Sequence, residues 1–181
     1  MNADLKNRTL INEAVVKKSM TRALHGQRIN LFCDALLAIG YSIFCMIVYG
    51  LHFPDFLSII SVLLLVLGIA IAIRGMTLPH KMARLTMRRV QEQYQADSYE
   101  VAFTFSDEAI QMQSSVQAKS YLIFYDSIKK ILLCDDLIVL KSKTKLLYSV
   151  DRNRFENGDE GDFRLLMNKK CPKAVPREYR C

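Results

Sequence analysis

The residues with the most chemical potential in this chain are scattered. Ser127-Ile128-Lys129-Lys130 matches the S-x-x-K spacing of acylating enzymes, in which lysine activates a serine held at the start of a helix. Here the four residues open a strand-like stretch with no S-D-N or K-T-G partner after it, so no nucleophile is predicted. The adjacent carboxylates Asp135 and Asp136 read as a turn; on a strand they would point to opposite faces and could not share a substrate as acid and base. Lys141, Lys143 and Lys145 fall on one side of a hairpin and could meet an anion, but their alternation with apolar and hydroxyl residues describes a solvated face. His25, His52 and His80 are too dispersed to build a metal site. Cys33, Cys45, Cys134, Cys171 and Cys181 are odd in number and lack C-x-x-C or zinc-ligand spacing, which predicts free thiols in a reducing compartment. Phosphate-cradling, serine-hydrolase and zinc-protease motifs are absent. The sequence therefore predicts no catalytic residue, no metal ligand and no cofactor, and it does not read as an enzyme.

The elements that carry these residues are set by composition. The chain has 181 residues, 51% hydrophobic and 24% charged, with a mean hydropathy of +0.10 and no Trp, which is too apolar for an ordinary soluble domain. Its net charge of +7 is unevenly placed. Residues 1–30 hold six basic and two acidic side chains, and residues 74–95 hold five and one. Residues 96–181 hold fourteen and thirteen. The excess flanks the apolar runs and leaves the C-terminal part nearly neutral, so nucleic acid is not an expected partner.

Two apolar runs, 29–51 and 56–74, each approach the roughly 20 residues a helix needs to cross a bilayer. Neither has a polar face, which argues against buried core helices. The connection His52-Phe53-Pro54-Asp55 has no Lys or Arg, whereas basic residues crowd both outer ends. The positive-inside rule then places both termini in the cytoplasm, with residues 52–55 as an external turn. Asp34 falls in the first turn of the first span, where a helix N-terminus favours an anion. Ala38/Ser42 and Gly68/Ala72 are small-xxx-small pairs that would let the two backbones approach.

After Pro79 the apolar positions Ala83, Met87, Val90 and Tyr94 recur at helical spacing, opposite Lys81, Arg84 and Arg88. Residues 75–96 are thus expected to form an amphipathic connector helix, with Lys81, Arg84, Arg88 and Arg89 available to anionic headgroups. From Tyr99 the period becomes two. Turn-like breaks divide the segment into six short strands, at about 99–105, 109–114, 117–124, 128–134, 137–142 and 145–150, a spacing expected of a small barrel or sandwich. Asp159 is a plausible N-cap for a helix reaching about Lys170, with Phe163, Leu166 and Met167 on its apolar face. Residues 171–181 read as a disordered tail.

The phrases FSDEAI, YDSIKKI and FENGDEGDF, together with two membrane helices and a connector, resemble the bacterial YcxB-like proteins over roughly residues 30–170. The resemblance implies an α+β layout in which a transmembrane hairpin precedes a small antiparallel pleckstrin-homology-like barrel, at 97–170, closed by a C-terminal helix. Such a barrel has seven strands, and the seventh is expected from Phe155 or from the basic N-terminal segment, residues 1–28. Where the family has Pro-Lys before the last loop, this chain has Asp151-Arg152. The expected function is a membrane-anchored interaction module at the bacterial inner membrane. Its expected partners are the lipid bilayer and a protein or peptide, with a second copy of the chain as a further candidate. The alternative is a small structural or regulatory subunit of a larger membrane complex, contacted through the hairpin.

Overall fold

Alternation in the first strand shows why the N-terminal segment is more than a basic leader. The computed structural model describes residues 4–49, 55–117 and 119–176. Strand β1 (Leu5–Ile11) is followed by helices α1 (Glu13–Ala23), α2 (His25–Tyr49) and α3 (Asp55–Tyr94). Strands β2 (Tyr99–Phe105), β3 (Ala109–Ser114) and β4 (Ser120–Phe124) lead through a 3₁₀ turn, Tyr125–Ser127, to β5 (Ile128–Leu133), β6 (Leu137–Ser142) and β7 (Leu147–Asp151). Helix α4 (Glu160–Lys170) closes the order. The chain divides into two units, one made of residues 1–23 with 82–181 and the other of residues 24–81.

In the first unit β1 buries Leu5, Asn7, Thr9 and Ile11 and exposes the residues between them. It pairs antiparallel with β2, from Leu5 opposite Phe105 to Ile11 opposite Tyr99. The seventh strand therefore comes from the N-terminal segment, and Phe155 adds an isolated bridge to Asn7. The strands form two antiparallel sheets, β1-β2-β3-β4 and β5-β6-β7, and among the described residues no backbone ladder closes them into one barrel.

Side chains bridge the two sheets where β1 meets β7. Asn7 Nδ2 donates to the Asp151 carbonyl at 2.7 Å, the Asp151 N–H donates to Thr9 Oγ1 at 2.8 Å, and Thr9 Oγ1 donates to Asn7 Oδ1 at 2.8 Å. Each polar atom in this buried relay has a partner, as low-dielectric surroundings demand. Asn7→Ala would leave the Asp151 carbonyl with the longer bond from the Arg154 N–H, at 3.4 Å, and would remove the acceptor of the Thr9 hydroxyl proton. It is expected to cost about 1–2 kcal/mol, read from the denaturation midpoint in micelles, whereas Lys6→Ala on the exposed face should stay within about 0.5 kcal/mol.

The core gathers Phe103, Phe105, Ile110, Ile138 and Leu140 under Phe163 and Met167 of α4. Helix α4 starts as its sequence predicts: Asp159 accepts from the Asp162 N–H at 3.0 Å and the Asp162 carboxylate accepts from the Asp159 N–H, a capping box. Gly158 precedes it at φ +107, a conformation only glycine adopts without strain.

The expectation of a disordered tail is corrected for residues 171–176. Cys171, Ala174 and Val175 are buried, and the Ile131 N–H donates to the Ala174 carbonyl at 2.9 Å. Only three small apolar positions among prolines and charges hold this segment against β5, too short a pattern to register as an element. Residues 177–181, with Cys181, lie outside the described residues.

The second unit contains α2 and α3 as far as Lys81. The sequence reading divides α3 into a span at 56–74 and a connector at 75–96, but α3 is one helix of 40 residues running through Pro79. Proline removes the N–H that would bond the carbonyl four residues earlier, that of Gly75. Arg28 Nε of α2 donates to that carbonyl at 3.2 Å. The neighbouring helix thus supplies the donor that proline lacks, and the helix continues. Residues 52–54 of the expected external turn lie outside the described residues. Both helices are long and apolar enough to cross a membrane, and their surfaces expose Leu36, Leu37, Ile47, Leu63 and Val66.

Candidate functional site

Among the described residues, the candidates that the sequence offers for chemistry stay apart. Ser127 ends the 3₁₀ turn and donates its hydroxyl to the Phe124 carbonyl at 2.7 Å, while Lys129 and Lys130 are exposed on β5. Asp136 lies in the β5–β6 turn and pairs with Lys18, whose hydrogen bond holds the Asp136 carboxyl below the usual carboxylate range. Lys141 does not line up with Lys143 and Lys145: its Nζ donates to the Ala23 carbonyl at 3.3 Å, and Lys145 occupies the turn after β6 at φ 68. No group of three or more potential metal ligands occurs among the described residues. Cys171 is buried and its thiol is pushed up to about 11, so it is no nucleophile.

Arg152 has a role that its sequence position does not announce. Its guanidinium forks onto Glu160 with two 2.7 Å bonds, and Nη1 donates to the Cys134 and Asp135 carbonyls at 3.2 and 3.0 Å. One side chain thereby ties the start of α4 to the β5–β6 turn.

The small residues of the membrane-length helices meet. Gly68 packs so closely on α2 that a Cβ there would lie 2.7 Å from Ile39 Cγ1, 3.1 Å from the Ala35 carbonyl and 3.3 Å from Ala38 Cβ. Ser42 is fully buried and donates to the Ser61 carbonyl at 2.7 Å. Ala72 is half-buried. The buried small positions repeat every seventh residue, Ala35 and Ser42 on α2 facing Ser61, Gly68 and Gly75 on α3, a heptad seam that the i, i+4 pairs only sample. Lys81, Arg84, Arg88 and Arg89 are all exposed, and Arg88 bonds Glu92 at 3.0 Å. Behind them Ala83 and Met87 are buried, so the two faces of this segment separate as the sequence pattern requires.

Two further features come only with the fold. Strand β4 is the outer edge of the four-stranded sheet. It pairs with β3 on one side, and among the described residues no strand pairs with the other. Ile123 points into the core, while Tyr121, Leu122 and Phe124 are exposed, the last two by more than 60%. Exposed lysines stand before the strand, at Lys119, and after it, at Lys129 and Lys130. The second feature is a cavity of about 280 Å³ between α1, the last turns of α3, and strands β2, β3 and β7. Val16, Val90, Val101 and Met112 supply apolar wall, and Ser19 and Ser149 hydrogen-bond each other at 2.7 Å at its edge.

Fold and surfaces together define a protein with a membrane-length helical hairpin and an antiparallel sheet-and-helix unit that has an open apolar edge. The chain matches no protein-family model, and comparison with curated proteins and with solved structures gives no match.

Proposed function

We propose that this protein is a membrane-anchored interaction module of the bacterial inner membrane, with both termini cytoplasmic, that takes up an extended peptide along β4. The observation that carries the reading is that outer edge, where unpaired backbone groups run beside three exposed large apolar side chains. An added strand satisfies those N–H and C=O groups, and its alternate side chains meet Leu122 and Phe124. Lys119, Lys129 and Lys130 complement acidic residues at the ends of the incoming segment. Seven strands in a four-and-three arrangement with a C-terminal helix support a pleckstrin-homology-like, YcxB-like unit.

The pairing of β1 with β2 supports the topology. These strands lie on opposite sides of the hairpin in sequence yet share one ladder, so residues 1–23 and those after 82 must occupy the same side of any membrane the hairpin enters. Flanking basic charge supports the cytoplasmic side. The subunit reading needs the small residues to face another chain; here they face each other, which favours the module.

Two experiments test this. In a chain with its native cysteines replaced by Ala, an impermeant thiol reagent on intact cells should label Asp55→Cys and spare Asn157→Cys, which is exposed; the reverse pattern overturns the orientation. A photoreactive side chain at Leu122 should capture an extended protein segment in intact membranes, with adducts at alternate residues of that segment. Phe124→Lys should reduce this yield at least about tenfold, equivalent to about 1.4 kcal/mol, and capture of lipid alone would reject peptide addition.

A further inference from the structure

We infer that the cavity between α1, α3 and the sheet is a binding site for a small uncharged molecule with an apolar body and one oxygen acceptor. Its volume, about 280 Å³, is nearly twice that of a dry protein cavity that takes benzene, which sets the ligand at about ten to twelve heavy atoms. That is just below the usual range of ligand pockets.

The lining fixes the chemistry. It contains no Asp, Glu, Lys, Arg or His; an ionised ligand would be desolvated there with no counter-charge. Valines, Met20 and Met112 give apolar and deformable walls. Polar groups converge at two places. Ser19 and Ser149 are both buried, and their mutual hydrogen bond consumes one hydroxyl proton of the two. The other O–H has no acceptor among the described residues, and a ligand carbonyl, ether or hydroxyl oxygen fits it. At a second point Gln117 donates its amide to the Tyr94 hydroxyl and accepts from Tyr121 at 2.9 Å. Burial raises the titration of Tyr99 and Tyr148, so both stay neutral donors. No residue of β4 lines the cavity.

The chain lacks Trp and three tyrosines line the cavity, so tyrosine emission reports binding directly. 2-Naphthol, eleven heavy atoms with one hydroxyl, should quench the emission of the full chain in lipid nanodiscs saturably. Naphthalene-2-sulfonate, with the same rings and a fixed charge, should bind at least about tenfold more weakly. Val16→Phe fills the cavity from α1 and should weaken 2-naphthol at least about tenfold without lowering the melting temperature; Val90→Phe fills it from α3 and reads the same outcome should the first variant not fold. The double variant Ser19→Ala with Ser149→Ala, which removes both hydroxyls, should weaken 2-naphthol several-fold and leave naphthalene unchanged. Absence of saturable quenching, equal binding of the sulfonate, or unaltered affinity in a folded filling variant overturns the assignment.

Discussion

Phe163→Ala is expected to destabilise the sheet-and-helix unit by about 3–5 kcal/mol, the range for an aromatic removed from a packed core. Phe163 is fully buried, edge-on to Phe105 at 5.2 Å between ring centroids and tilted against Phe155 at 5.7 Å. It joins α4 to β2 and to the loop that bridges β1, so truncation opens a void where three segments meet. The loss combines transfer free energy, aromatic contacts and a cavity that the surrounding strands can only partly fill. Denaturation of the full chain in micelles, followed by tyrosine near-UV dichroism, measures it. Leu165→Ala, on the exposed face of α4, should stay within about 0.5 kcal/mol. A Phe163→Ala chain as stable as wild type would show that α4 does not cover the core.

Gly68→Ile is expected to weaken the α2–α3 hairpin by about 2–3 kcal/mol, as overpacking does when backbone must move. A Cβ at Gly68 already falls inside contact distance of Ile39, Ala35 and Ala38, and the Ala35 carbonyl is backbone that no rotamer change can clear. Lipid offers no compensating hydrophobic drive, so close packing is the main attraction lost. Gly40→Ile is the matched control, because nothing lies within 4 Å of a Cβ there. Resonance energy transfer between dyes on α2 and α3 during detergent titration reads the effect; equal midpoints for the two variants would reject the close-packed seam.

The parts legible in the sequence are those where one periodicity governs. Strand β2, the Asp159 cap and the Phe163-Met167 face follow local pattern, while β6 is a continuous apolar run bounded by turn residues. β1 escapes because its inward positions include Asn7 and Thr9, which read as polar until Asp151 is seen to satisfy them. Pro79 reads as a boundary because the donor that replaces its missing N–H, Arg28, is 51 residues upstream. For the hairpin, spacing identifies Gly68 and Ser42, but a four-residue motif cannot reveal that the seam repeats by sevens. The cavity has walls from six elements, and no single stretch of chain carries its signature.

The ladder between β1 and β2 has a consequence for how the protein is made. Leu5 opposes Phe105, so β1 finds its partner only after both membrane-length helices have left the ribosome. Closing so long a loop is entropically unfavourable for a free chain. A hairpin already inserted in the bilayer shortens the effective loop by bringing the ends of α2 and α3 to one surface. Membrane insertion would then act as a folding step for the sheet, and a chain that failed to insert would carry an unpaired β2 edge and an uncovered core, the features by which misassembled chains aggregate.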